Sequence, residues 1–231
     1  MIRAVFFDFY NTLARYEPPR EQLQEAACGE FGIRVASEAI KRALPVADDY
    51  FYRENARSNV EKRPSQEKAT VYGEYERRLL EAAEVEVSPE TALQVITRLR
   101  GYDMRMVLFE DVPPALAQLR ERGLTLGLVS NVDRDMTPLF QMLGLESYLD
   151  FMVTSWEVGD DKPRPPIFHA ALKRADVPPS QALHVGDQYH IDVAGAQGVG
   201  IRPLLIDRDD FYPQVSDCPR LRTLGEVAEY L

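Results

Sequence analysis

The chain has 231 residues, 45% hydrophobic and 28% charged, enough apolar material for one sizeable core or two modest ones. Its formal net charge of −10 argues against a nucleic-acid groove or an anionic membrane surface as partner, so an anionic substrate must be drawn by a local cation or a metal. Cys28 and Cys218 have neither metal-ligand spacing nor a disulfide framework, no apolar run approaches membrane-spanning length, and no cleavable signal precedes the first strand-like segment; a cytoplasmic location is the expectation.

Ala4-Val5-Phe6-Phe7 is a short continuous apolar run, as expected of a parallel strand covered on both faces. It ends in Asp8, and Asn11-Thr12 follow with turn chemistry. Asp8 is thereby expected at the carboxyl end of a buried strand, where open α/β sheets bind their ligands. A lone aspartate there is more often a helix cap or turn former, so the rest of the chain has to decide. After Leu13 the period becomes helical up to about Arg100. Pro18-Pro19 lead a helix carrying Leu23, Ala26, Ala27 and Phe31, stopped at Gly32. Ser37 is expected to cap a second helix with Ile40, Ala43, Leu44, Ala47 and Phe51, kinked at Pro45. Pro64-Ser65 opens a third with Tyr72, Tyr75, Leu79 and Ala83, and Ser88-Pro89-Glu90 a fourth with Leu93, Ile96 and Leu99. Residues 16–100 therefore read as a small α-helical bundle inserted into a second domain made of 1–15 and 101–231.

Beyond Asp103 strands and helices alternate. Val112-Pro113-Pro114 start a helix ending at Gly123, residues 124–129 form a strand ending in Ser130-Asn131, and a helix runs on to Leu143. Residues 151–154 form a strand, Pro165-Pro166 start a helix, and residues 183–186 form a strand that delivers Asp187. Asp192 is expected to open the next helix, residues 204–206 form a strand ending at Asp207, and Thr223 and Glu226 have capping-box spacing. This alternation predicts an α/β fold with a doubly wound, Rossmann-like parallel sheet.

Right-handed crossovers bring the ends of parallel strands to one edge, so Asp8, Ser130 and Asp187 can converge, with Asp192 five residues beyond Asp187. Three clustered carboxylates are costly without compensation, which suggests a hard divalent cation such as Mg²⁺. Lys162, just before a helix, would be a second positive element, although a Lys-Pro by itself is usually surface.

These residues carry a resemblance. Asp8-Phe9-Tyr10-Asn11-Thr12-Leu13, Ser130-Asn131, Lys162-Pro163 and Gly186-Asp187 with Asp192 resemble, in order, the four motifs of the haloacid dehalogenase superfamily, and the helical insert falls where its helically capped members carry theirs. The similarity covers 1–14 and roughly 103–207 and is strongest from His184 to Ala196. It implies Asp8 as nucleophile, Ser130 hydrogen-bonding the transferring group, and Lys162 neutralising the developing charge. It also implies a substrate-binding set of Asn11, Thr12, Ser130, Asn131 and Lys162. Mg²⁺ would be held by Asp8, Asp187, Asp192 and the backbone carbonyl of Tyr10. The implied partner is a small phosphorylated molecule; oligomeric state is not legible.

Position 10 departs from the family's phosphatases, which carry an aspartate there to protonate the leaving group and activate water. Tyr10 can donate a proton but is a poor base at neutral pH. Tyrosine at this place resembles the 2-haloacid dehalogenases, which use no metal and lack the acidic pair that Asp187 and Asp192 provide. A Mg²⁺-dependent phosphatase working through an aspartyl-phosphate on Asp8 is the leading expectation, with catalytic residues Asp8, Tyr10, Ser130 and Lys162. A metal-independent dehalogenase and a weakly catalytic member that binds a phosphorylated ligand or a protein partner stand beside it. Elsewhere, His190 reads as a loop residue, His184 as a satisfied core residue, Trp156 as packing, and Arg20, Arg53, Arg57 and Lys68 as charges of the insert.

Overall fold

A computed structural model describes residues 1–231. The chain divides into two compact units, one of Met1–Arg15 with Val107–Leu231, the other of Tyr16–Met106. The first unit starts with β1 (Ala4–Phe7), all four of whose side chains are buried, as a strand covered on both faces requires. Two short strands that the periodicity does not reveal, β2 (Ala14–Glu17) and β3 (Arg105–Leu108), form a separate two-stranded sheet where the chain passes from one unit to the other.

The inserted unit holds α1 (Arg20–Glu30), α2 (Ser37–Arg57), α3 (Ser65–Ala82) and α4 (Pro89–Leu99). Their apolar faces meet in a core of Ala27, Ile40, Ala47, Leu79, Val95 and Ile96. Ser88 caps α4 as expected, its side chain accepting from the Thr91 N–H. Ser37 does not cap α2: it is the first helical residue, and its own N–H donates to Glu25 Oε2 at 3.0 Å. The helix runs on through Pro45. The second boundary falls at Val107 rather than 101, because Tyr102 packs on this helical core and its hydroxyl donates to Glu30 Oε1.

In the first unit, α5 (Val112–Glu121) precedes β4 (Thr125–Ser130). The helix expected to reach Leu143 is only α6 (Thr137–Met142). Then come β5 (Phe151–Thr154), the single turn α7 (Ser155–Val158), α8 (Pro165–Ala175) and β6 (Ala182–Gly186). Asp192 does not open a helix; it lies inside a π-turn, Tyr189–Val193, that runs into α9 (Ala194–Gly198). The chain ends with β7 (Arg202–Ile206), β8 (Arg220–Leu221) and a 3₁₀ segment whose Thr223–Glu226 capping box is present. All pairings in the six-stranded sheet are parallel, in the order β5-β4-β1-β6-β7-β8. The chain travels outward through β4 and β5 on one side of β1, then through β6 and β7 on the other, so the switch point lies at β1 and β6. Phe6, Val129, Val153, Ile167 and Phe168 fill the core beneath it.

Candidate active site

Register sets the site. Phe7 pairs with both Leu128 and Val185, so Asp8, Ser130 and Asp187 all lie within two residues beyond one level of the sheet. The Asp8 N–H donates to the Val185 carbonyl at 2.8 Å, which ties the end of β1 to β6. Asn11 takes the left-handed conformation (φ 58°) that lets the chain turn there, and its side chain hydrogen-bonds Asp187.

Lys162 is the centre of the electrostatics. Far from being a surface residue, it is 2% exposed, and its Nζ donates to Asp8 Oδ1 at 2.6 Å and to Asp192 Oδ1 at 2.7 Å. Asn131 positions it: Asn131 Oδ1 accepts the Lys162 N–H at 2.7 Å and Asn131 Nδ2 donates to the Lys162 carbonyl at 2.9 Å. Both ends of the Asn131 amide are thus spent on the backbone of Lys162. Thr12 is fully buried with its hydroxyl unpartnered, and its carbonyl accepts from Arg208. Ser130 closes β4, 4% exposed, and Tyr10 is half-buried just past Asp8.

Asp192 is held from three sides. Its Oδ1 accepts from Lys162 and from His184 Nε2 (2.9 Å), and its Oδ2 accepts the Gln188 N–H at 3.1 Å. Burial opposes its charge, but Lys162 and the His184 hydrogen bond outweigh that and hold its pKa down at about 2. Burial raises Asp8 to about 6, with Lys162 pulling against it and Asp192 pushing the same way. Asp187 is pushed well above the carboxylate range by burial and by the charges of Asp8 and Asp192. Lys162 is raised in spite of burial, because Asp192 and Asp8 face it. Burial lowers His184, leaving a neutral ring.

Ligand oxygens of Asp8, Asp187 and Asp192 lie within 4.8 Å of one another, and Asp187 Oδ1 is buried with no hydrogen-bond partner. Three carboxylates face a single ammonium. An all-oxygen donor set with excess negative charge and an orphaned carboxylate oxygen fits a hard divalent cation of the Mg²⁺ kind.

Two participants carry no signal of their own in the sequence as parts of the site. His184 reads there as a satisfied core residue; it is fully buried, but one ring nitrogen reaches Asp192 while Nδ1 has no partner. Gly186 is required because a Cβ there would stand 2.1 Å from Asp192 Cγ. Among the others, His190 is exposed, as expected of a loop residue, whereas Trp156, expected to pack, is 57% exposed. Arg20, Arg53, Arg57 and Lys68 are paired with Asp48, Asp49, Glu54 and Glu61 inside the helical unit.

A parallel sheet with a carboxylate nucleophile candidate, a buried lysine and an acidic pair at its switch point defines a hydrolase class. The chain belongs to the haloacid dehalogenase-like hydrolases, whose family model matches residues 2–200. A ribulose-1,5-bisphosphate 5-phosphatase from Halopiger xanaduensis is 31% identical over 99% of each chain. The mouse haloacid dehalogenase-like hydrolase domain-containing protein 3 is 44% identical over 99 residues, 43% of this chain and 39% of the mouse protein. The matched segment thus spans well under half of that relative's length. Among solved structures, HAD-hydrolase YfnB from Bacillus subtilis superposes with a TM-score of 0.65 at 19% identity, covering 100% of this chain and 98% of its own, which speaks to the fold. No helix is long and apolar enough to cross a membrane.

Proposed function

We propose that this hydrolase is a Mg²⁺-dependent phosphatase of a small phosphorylated metabolite, with Asp8 as nucleophile. The observation that carries the reading is Lys162 bridging Asp8 and Asp192 beside the unpartnered oxygen of Asp187. The phosphatase name of the near full-length Halopiger relative supports a phosphorylated substrate. An Asp8 oxygen attacks phosphorus, the bond from phosphorus to the leaving oxygen breaks, and an aspartyl-phosphate forms; water then attacks the same phosphorus and restores the carboxylate. Lys162 favours the ionised nucleophile and balances charge on the transferring group. Ser130 donates to a phosphoryl oxygen from the end of β4. Asp187, Asp192, Asp8 and the Tyr10 carbonyl would hold Mg²⁺, which when bound neutralises the phosphoryl charge and keeps the carboxylates ionised.

Tyr10 limits this chemistry. A phenol, with a pKa of about 10, is a weaker proton donor to the leaving oxygen than a carboxylic acid as well as a weak base toward water, and loss of general acid/base help costs about 10²–10⁴ in rate. Acyl and aryl phosphates, whose leaving groups need no proton, should therefore outpace sugar phosphates.

The test is phosphate release from acetyl phosphate, p-nitrophenyl phosphate and a sugar phosphate, with Mg²⁺ or with excess EDTA. The expected result is metal-dependent turnover, fastest on the first two and absent in Asp8→Asn. Tyr10 also favours a second reading, a metal-independent 2-haloacid dehalogenase. Chloride release from 2-chloropropionate that EDTA leaves unchanged would establish it in place of the first.

A further inference from the structure

We infer that His184 is a positioning residue for the cation site: its Nε2–H fixes Asp192 and so sets how tightly the carboxylate cluster holds Mg²⁺. The inference rests on the metal-dependent reading above and extends it to a residue buried beneath the site.

His184 lies on β6, three residues ahead of Asp187, fully buried, with its ring edge-on to Phe168 at 5.2 Å between centroids. Asp192 Oδ1 can only accept, so the nitrogen 2.9 Å away must carry the proton. The other nitrogen, buried and without a partner, is then a bare acceptor. A packing role alone would be met by an apolar ring, which would leave no unpartnered nitrogen in the core. The polar ring therefore has its use at Asp192. There it shares Oδ1 with Lys162, whose Nζ also reaches Asp8. Together with the Gln188 N–H on Oδ2, these donors leave the carboxylate one orientation, pressed against the bare backbone of Gly186. One free lone pair on Oδ2 is then aimed by the protein rather than by the ion. Partners that orient a metal's ligands from behind typically govern affinity by about 10–100-fold.

The experiment compares the wild-type chain with His184→Phe and His184→Gln, titrating MgCl₂ without substrate and reading the melting temperature. Phenylalanine keeps a ring against Phe168 and removes the donor. Glutamine places an amide N–H the same number of bonds from Cα as Nε2. The expected result is a Mg²⁺ midpoint raised about 10–100-fold in His184→Phe and close to wild type in His184→Gln. A His184→Phe midpoint equal to wild type, or a loss of urea stability without Mg²⁺ and no change in midpoint, would overturn the inference and leave His184 a core residue. Absence of any Mg²⁺ effect on the wild type would instead overturn the metal reading, and the inference with it. Should His184→Phe not fold, the wild type still decides by ¹⁵N NMR. The chain has three histidines and the other two are exposed, so the buried ring is identifiable. Its Nε2 resonance should move on Mg²⁺ saturation, and an unmoved resonance in a protein that binds Mg²⁺ would count against the inference.

Discussion

A lysine that is 2% exposed and touches two carboxylates is worth more to the site than its single charge suggests, because each partner is itself removed from water. Breaking a buried ion pair by deleting one member costs roughly 3–5 kcal/mol, since the remaining charges are left uncompensated. Lys162→Met should therefore lower the urea-unfolding free energy of the metal-free protein by about that amount and abolish turnover. It should also push Asp8 further above its pKa of about 6, so that the nucleophile is protonated at neutral pH. Unfolding in urea at pH 7 measures the first effect, and an unchanged midpoint would show the network to be energetically slack. Asp8 and Asp187 are legible in the sequence because each ends a short apolar run, and strand ends in such sheets have one destination. His184 is not legible in the same way. It sits in the apolar run itself, and its partner lies eight residues on, across a π-turn that neither the period of 2 nor that of 3.6 describes.

Among the elements, α1 and α3 carry the least expected contact. Gln24 and Glu76 are both fully buried, with Gln24 Nε2 donating to Glu76 Oε1 at 2.5 Å. Glu76 Oε2 and Gln24 Oε1 have no partner. Burial raises Glu76 to about 7, although the Gln24 hydrogen bond and the charge of Arg20 act the other way. Since the folded pKa lies above the unfolded value of 4.5, the neutral acid stabilises the fold below about pH 4.5. That stability is lost as the pH rises toward 7. The shift corresponds to about 3 kcal/mol across the window. Glu76→Gln should keep the amide contact and remove the slope, so that between pH 5 and pH 8 the wild-type chain loses stability that the variant retains. Urea titrations at the two pH values check this, and parallel behaviour of the two proteins would mean that Glu76 stays ionised. The helices themselves are legible, because α4 opens with Ser-Pro-Glu and α3 follows Pro64. The strands β2, β3 and β8 are not: Ala14–Glu17 and Arg105–Leu108 are as long as β1 but carry charged, part-exposed positions in place of its continuous buried apolar run, β8 has only two residues, and pairing makes them strands.

On the scale of the whole molecule, the insert is visible as a change of period lasting some 85 residues, and its far boundary is blurred because residues 101–106 have no period at all. What periodicity cannot say is that the two units have separate cores, one built from residues between Ala4 and Ile201, the other from residues between Ala27 and Leu99. Every carboxylate of the candidate site, together with Lys162 and His184, belongs to the first unit. A ligand that binds only the folded state stabilises what it binds by RT ln(1 + [L]/Kd), about 2.7 kcal/mol at a hundredfold excess over Kd. Mg²⁺ at that excess should therefore slow amide exchange by up to about 100-fold in β1, β4 and β6. Peptides from α1 to α4 should exchange as before, since no residue there holds the ion and their core is their own. Hydrogen exchange with mass spectrometry, with and without Mg²⁺, reads both sets in one experiment. Equal slowing in both would mean that the two cores open together as a single cooperative unit. Slowing in neither would remove the cation from the site.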